Sequence, residues 1–172
     1  IVIIFFSINY SQSSIIKYIF SRANYSSSIQ RPLHQEKLLR QKGEQIHIIQ
    51  LQGLIFFGTA KKLLEQIVQR LENTNLEPIN FLVLDFRLVT GLDSSAILNF
   101  IKIKRIIQKQ EINLLFTNLS TRIKQQLYKS NFLDSQDPLC KVFSDLDEGL
   151  EWCEEQILAN SPWRRSRGQP LV

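Results

Sequence analysis

The chain has 172 residues, a hydrophobic fraction of 44%, a charged fraction of 22% and a net charge of +5. This length suits one folded domain with tails, whose core needs no disulfide or metal for stability. The two cysteines and two histidines are scattered without a metal-ligand spacing, and the six glycines form no phosphate-binding loop, so we expect neither a metal site nor a cofactor.

The positive charge is concentrated in the flanks of the chain. Residues 1–42 contain six basic residues and one acid, and three arginines follow residue 163. The intervening segment is slightly acidic, with twelve basic residues and fifteen acids. Nucleic-acid binding requires a basic face on the folded unit, so no nucleic-acid partner is predicted.

Residues 1–44 are predicted to be a membrane-proximal segment and linker. The apolar run "IVIIFF" is far shorter than the roughly 20 residues of a membrane helix. It fits either a buried strand or the end of such a helix, and the aromatic and basic residues after it are typical of a cytoplasmic membrane interface. Dense serines with Pro32 and Gly43 predict a linker over residues 21–45. The absence of methionine indicates a piece of a longer protein.

The first predicted elements after the linker are two strands separated by a helix. The β-branched run at 46–51 predicts a strand, which "LIFFG" continues or pairs with. Apolar residues at helical spacing from Ala60 to Leu71 predict a helix whose start Thr59 caps. A turn at 73–78 leads to "FLVLDF" (81–86), which reads as a strand buried on both faces.

Strand and helix continue to alternate towards the carboxyl terminus. A helix is predicted from Ser95 to Gln108, followed by a strand at 113–118 and a helix capped by Ser120. A short strand at 140–143 precedes a last helix, with Ser144 and Asp147 as its capping pair. This alternation predicts an α/β fold with a mostly parallel sheet flanked by about four helices. The domain is expected to span 45–158, with a basic tail at 159–172.

The stretch "GLDSSAILNF" joins the second buried strand to a helix at the edge where α/β proteins place their sites. Asp93 or Ser94 is expected to cap the helix, and Asp85 to tie down the loop. A phosphate on Ser94 would benefit from the helix start, which makes this serine a candidate switch. Catalysis by Ser94 lacks the G-x-S-x-G pattern and an evident histidine partner, so no enzyme is predicted.

The segments "IHIIQLQGLIFFGTAKKLLEQI", "FLVLDFRLVTGLDSSAILNFIKI" and "LLFTNLSTRIKQQLYKSNF" resemble the STAS domain family, shared by sulphate transporters and anti-sigma-factor antagonists. The resemblance implies a small mixed sheet, mostly parallel, flanked by helices. In antagonists, the resemblance implies a serine phosphorylated by a partner kinase, here Ser94, although Ala96 replaces the expected glycine. In transporters, it implies a cytoplasmic domain that follows the last membrane helix and influences assembly and regulation.

The lead-in before residue 45 resembles that of SulP-type anion permeases. The expected function is therefore a cytoplasmic regulatory and protein-interaction domain of such a transporter, with a soluble antagonist switched at Ser94 as the alternative. The expected partner is the membrane domain in cis or another protein, and a homo-oligomer is left open. The expected interaction loop comprises Thr90, Gly91, Asp93, Ser94 and Ser95.

Overall fold

One five-stranded sheet organises residues 14–161, the part of the chain that the computed structural model describes. The strands are β1 (Ile16–Ser21), β2 (Ile46–Ile55), β3 (Phe81–Leu92), β4 (Asn113–Thr117) and β5 (Cys140–Phe143). They lie side by side in chain order. Strand β1 is antiparallel to β2, whereas β2 to β5 are mutually parallel, so the predicted mixed, mostly parallel sheet is confirmed.

Within residues 14–161, five α-helices cover the two faces of this sheet. They are α1 (Leu33–Gln41), α2 (Phe57–Glu72), α3 (Ile97–Lys109), α4 (Thr121–Lys129) and α5 (Leu146–Ala159). Helices α2, α3 and α4 cover one face, and α1 and α5 cover the other. None of these helices has the length and hydropathy that a bilayer crossing requires.

The continuous apolar run of β3 has a simple physical cause. Leu82 and Leu84 pack in the core beneath α2 and α3, whereas Phe81 and Val83 pack in the core beneath α5. Because successive side chains of a strand point to opposite faces, a strand covered on both faces must be apolar throughout.

Two predicted helix starts are displaced in the structure. Helix α2 begins two residues before Thr59, whose Oγ1 instead accepts a hydrogen bond from the Phe56 backbone N–H at 3.0 Å. The last helix is capped by Asp145, whose Oδ1 accepts from the Glu148 N–H at 2.9 Å. The prediction that Ser144 and Asp147 form the capping pair is therefore wrong by one position, because the helix begins at Leu146. The predicted cap at Ser120 is confirmed.

The segment predicted as a linker, residues 21–45, is instead folded onto the sheet and onto α5. We call residues 22–32, which connect β1 to α1, the strap. It is anchored by Glu154, a fully buried residue of α5. Glu154 accepts hydrogen bonds from Arg22 Nε at 2.9 Å, Arg31 Nε at 2.9 Å and Ser27 Oγ at 2.7 Å. The strap is held by charged and polar contacts, so its sequence lacks the periodic apolar pattern from which structure is predicted.

A second anchor holds the far end of Arg22. Its Nη1 and Nη2 donate to the two carboxylate oxygens of Glu36 on α1, at 3.0 and 2.8 Å. The strap thus links β1, α1 and α5 in one charge network, which is buried at Arg22 and Glu154 and partly exposed at Glu36. The apolar run at residues 1–6 and all but residues 159–161 of the basic tail lie outside the described residues.

Candidate docking site at the carboxyl edge of the sheet

The turn between β3 and α3 presents three polar side chains to solvent. Asp93, Ser94 and Ser95 are all exposed, and a short 3-10 helix (Ser94–Ala96) leads directly into α3. Asp93 Oδ1 accepts a hydrogen bond from the Ser95 N–H at 2.8 Å, so the predicted capping role of Asp93 is confirmed. Interactions with the Ser95 hydroxyl and backbone N–H lower the pKa of Asp93, which keeps this carboxylate ionised.

Contacts with the start of α2 hold the turn in place. Ser95 Oγ accepts a hydrogen bond from the Phe57 N–H at 3.1 Å. Asn99, a buried residue of α3, donates from Nδ2 to the Phe57 carbonyl at 3.1 Å. The backbone N–H of Asp93 also donates to the carbonyl of Ile55 at 2.8 Å. Sequence reasoning missed Asn99, because its partner lies 42 positions away and no local pattern reveals the contact.

The hydroxyl of Ser94 differs from that of Ser95, since it makes no hydrogen bond with any residue between 14 and 161. The next residue but one, Ala96, is fully buried in the core between α2 and α3. The methyl group that replaces the family's expected glycine therefore points inward, away from the surface that presents Ser94.

Thr90 and Gly91 do not lie in a loop, contrary to the prediction. They belong to the end of β3, where Gly91 pairs with Leu54 of β2. A Cβ atom at Gly91 would lie 3.0 Å from Leu54 Cδ1, so this pair of strands is closely packed. The strand extends beyond residue 86 because β2 also continues to Ile55 and offers it a partner.

Four large apolar side chains remain substantially exposed near the carboxyl ends of β2 and β3 and the starts of α2 and α3. We call Leu54, Phe57, Leu88 and Leu98 the apolar rim; their exposed fractions are 39%, 46%, 42% and 60%. The Phe57 backbone N–H is hydrogen-bonded to Ser95 of the turn, and Leu98 lies in the first turn of α3, three residues after Ser95. A group of exposed apolar side chains beside a fixed polar turn is typical of a docking surface for another protein.

Behind the turn, a cluster of hydrogen bonds surrounds Asp85 on β3. This residue is 1% exposed. Its Oδ1 accepts from Thr117 Oγ1 at 3.0 Å and from Asn118 Nδ2 at 2.7 Å, and its Oδ2 accepts from Gln50 Nε2 at 2.9 Å. The Arg87 backbone N–H completes the set at 3.3 Å. Asp85 therefore links β3 to Gln50 of β2 and to the end of β4; it does not tie down a loop, as predicted, because β3 continues to Leu92.

The strand histidine is not placed to activate Ser94. His47 pairs with Leu82 near the amino-terminal end of β2, whereas Ser94 lies at the opposite edge of the sheet. Burial, followed by the charge of Arg70, lowers the pKa of His47 to about 4. The other histidine, His34, lies on α1. This geometry gives a catalytic Ser94 no general base from β2.

With this fold and turn established, the sequence model of the STAS domain family matches residues 37–149. The chain belongs to the STAS domain family. The match begins eight positions before the predicted domain start at 45 and includes part of α1.

Similar proteins include two transporters. The chain is 33% identical over 138 residues to the "Vacuolar basic amino acid transporter VSB1" of Saccharomyces cerevisiae, which covers 77% of the chain and 13% of that protein. It is 23% identical over 133 residues to "Sulfate transporter 3.1" of Arabidopsis thaliana, which covers 69% and 20%. The chain thus spans a fifth or less of these two relatives.

Solved structures share the fold at low sequence identity. A sulfate transporter family protein from Wolinella succinogenes superposes with a TM-score of 0.55 and 19% identity, covering 67% of this chain and 89% of that one. The overall structure of SLC26A9 superposes with a TM-score of 0.58 and 12% identity, covering 95% of this chain and 27% of that one.

Proposed function

We propose that the chain is the cytoplasmic regulatory and protein-interaction domain of a SulP-type anion transporter. In this proposal, the domain docks on the membrane domain of the same protein through the apolar rim and the Asp93–Ser95 turn. The single observation that carries the proposal is the apolar rim, four exposed hydrophobic side chains at the edge of the sheet whose turn is held to Ile55 and Phe57 by hydrogen bonds. The similarity to two transporters supports the choice of partner.

The position at which the polypeptide enters the domain also supports this partner. The Ile15 carbonyl accepts from the Gln52 N–H at 2.8 Å, and the Ser14 carbonyl accepts from Gln52 Nε2 at 3.2 Å. Gln52 lies two residues before Leu54 of the rim and pairs with Leu88 of the rim. A chain that arrives from a membrane helix would therefore reach the domain beside the proposed docking surface.

Leu98→Lys is expected to weaken this docking without unfolding the domain, because Leu98 is 60% exposed and a charge there would have to be desolvated at an interface. The measurement is co-purification of the domain with the separately expressed membrane domain of the full-length protein, together with anion uptake by that protein in proteoliposomes. We expect at least a threefold loss of co-purification, on the order of 1 kcal/mol.

The matched control for this prediction is Leu76→Lys. Leu76 is 47% exposed but lies in the turn between α2 and β3, at the opposite edge of the sheet. Leu76→Lys should leave co-purification and anion uptake unchanged. Equal effects of the two substitutions, or no effect of Leu98→Lys despite normal thermal stability, would refute docking through the apolar rim.

A second candidate function is a phosphorylation switch at Ser94, as in an antagonist protein. The exposed and unbonded hydroxyl of Ser94 favours it, and the buried methyl of Ala96 leaves the approach to Ser94 open. A phosphate there would add roughly 1.5 to 2 negative charges beside Asp93 and change what can dock on the apolar rim.

Incubation with candidate kinases and ATP tests this switch by mass measurement. Ser94→Ala should abolish the mass increase of one phosphate, whereas Ser95→Ala should retain it, because the Ser95 hydroxyl is occupied by the Phe57 N–H. Phosphate on Ser95 instead of Ser94, or no phosphate with any kinase encoded near the gene, would count against the switch.

A further inference from the structure

A cavity lies on the α5 side of the sheet, and none of the four apolar-rim residues lines it. Its volume is about 770 Å³, and it is bounded by β1, the strap, the carboxyl ends of β2 and β3, and the start of α5. Pockets of roughly 300–1,000 Å³ accommodate small molecules, and α/β sheets bind ligands at the carboxyl ends of their strands. Neither the docking proposal nor the Ser94 switch uses this cavity.

Carboxylates dominate the charge of the cavity lining. Asp85, Asp145 and Asp147 line it together with one guanidinium, that of Arg87, which leaves two negative charges in excess. Asp145 uses only its Oδ1 atom to cap α5, and its side chain is exposed. Asp147 accepts from Ser28, but a carboxylate oxygen can accept more than one hydrogen bond. The lining therefore retains unused acceptor capacity for a cationic donor.

Aromatic side chains of β1 and the strap also line the cavity. The rings of Phe20 and Tyr25 lie 5.4 Å apart between centroids, and Tyr25 is 47% exposed. A third lining ring, Tyr18, is already engaged by the chain's own Lys17, whose Nζ lies 5.7 Å from its centroid, so Phe20 and Tyr25 are the rings left for a ligand. Aromatic faces attract cations, and a carboxylate in the same cavity strengthens this attraction.

The start of α5 does not convert the cavity into an anion site. Its exposed N–H groups would favour an anion, but the Glu148 N–H is already bonded to Asp145. Asp147 and Glu148 also place two further carboxylates in the first turn of this helix. The helix dipole is therefore already compensated by side chains of the chain itself.

We propose that this cavity binds a small organic cation, namely a guanidinium or alkylammonium group on an aliphatic chain. Two sources supply this chemistry: a free basic amino acid and an arginine or lysine side chain of a partner polypeptide. The aromatic side chains of the lining belong to β1 and the strap, whereas Asp145 and Asp147 lie at the start of α5. A bound cation would therefore connect β1 and the strap to α5.

The test is a titration of the 172-residue chain with L-arginine at low ionic strength, followed by NMR amide shifts and calorimetry. We expect saturable binding with shifts at Tyr25, Gln50 and Asp145, and none with L-citrulline, which has the same shape without the charge. N-acetyl-L-arginine amide distinguishes the sources. Binding as tight as that of L-arginine assigns the site to a side chain of a polypeptide, and weaker binding assigns it to the free amino acid.

Asp145→Asn is the decisive variant, because asparagine caps a helix as well as aspartate does but lacks the charge. We expect L-arginine to bind this variant about three- to fivefold more weakly, the size of a partly exposed ion pair. Glu155→Gln, an exposed site on the same helix outside the cavity, is the matched control and should bind normally. No binding of L-arginine, equal binding of L-citrulline, or equal losses in the two variants would overturn the proposal.

Discussion

Glu154→Gln is expected to lower the free energy of unfolding by about 3 to 5 kcal/mol, the usual cost of removing one partner from a buried ion pair. The substitution leaves Arg22 and Arg31 inside the protein without their shared carboxylate. Arg22 is only 3% exposed, and Nη2 of Arg31 is already buried without a partner among the described residues. Thermal unfolding followed by circular dichroism should show a melting temperature lower by about 10 °C.

The neighbouring exposed residue supplies the control. Glu155→Gln removes the same charge one position away and should change the free energy of unfolding by less than about 0.5 kcal/mol. Limited trypsin digestion adds a local measurement, because release of the strap would expose the bond after Arg22. A Glu154→Gln protein as stable and as resistant to trypsin as the Glu155→Gln protein would show that the strap does not depend on this network.

The contribution of Glu154 should also depend on pH. Burial alone would raise the pKa of Glu154, but hydrogen bonds from Ser27 and Arg22, with further ones from Arg31, hold the pKa below the ordinary value of 4.5. A carboxylate with a lowered folded-state pKa contributes its stability above the unfolded-state pKa and loses it as the pH falls through the folded-state value. The stability difference between the native protein and Glu154→Gln should therefore shrink below about pH 4.5.

Asp85→Asn is the second substitution for which a large effect is expected, about 2 to 3 kcal/mol of unfolding free energy. Both carboxylate oxygens of Asp85 accept hydrogen bonds, from Thr117 and Asn118 on one side and Gln50 on the other. An asparagine places an NH₂ group against a donor on one of these sides, so at least one buried bond is lost and replaced by repulsion.

Asp134→Asn is the matched control, since Asp134 is exposed and its side chain accepts a local bond from the Gln136 N–H two positions away. Chemical denaturation should separate the two variants clearly, and Asp134→Asn should stay within about 0.5 kcal/mol of the native protein. Because Gln50 and Asn118 donate their side-chain amides to Asp85, Asp85→Asn should alter the side-chain amide signals of both in NMR spectra. Equal stability of the two variants would mean that the Asp85 cluster does not hold the strand ends.

The sequence was sufficient to predict the elements that bury apolar residues with a regular period. Strand β3 and helix α2 fall into this group, since Leu82, Leu84, Leu63 and Ile67 belong to the predicted patterns and lie in the core. Helix α1 could not be found in this way, because Leu39 is its single buried residue. The strap next to α1 is held by charged side chains that lie far apart in the sequence. Arg22 and Glu154, for example, are more than one hundred positions apart and meet only in the folded chain.

In the candidate site, too, the sequence predicts the local features but not the contacts between distant residues. The capping role of Asp93 is local, and the residue type and its place before a helix indicated it. The contacts of Ser95 and Asn99 with Phe57 join different helices, and the exposure of the apolar rim depends on how α2 and α3 meet. Residue types alone carry no information about such distances, so these features required the three-dimensional structure.

The reversed direction of β1 has a mechanical consequence. Because this strand runs against the other four, its first described residues, Ser14 and Ile15, contact Gln52 in the carboxyl-terminal half of β2. A force applied at Ser14 would act first on Gln52 and only afterwards on the middle of the sheet. Such a force would therefore displace the exposed ends of β2 and β3, near Leu54 and Leu88, before the core has to deform.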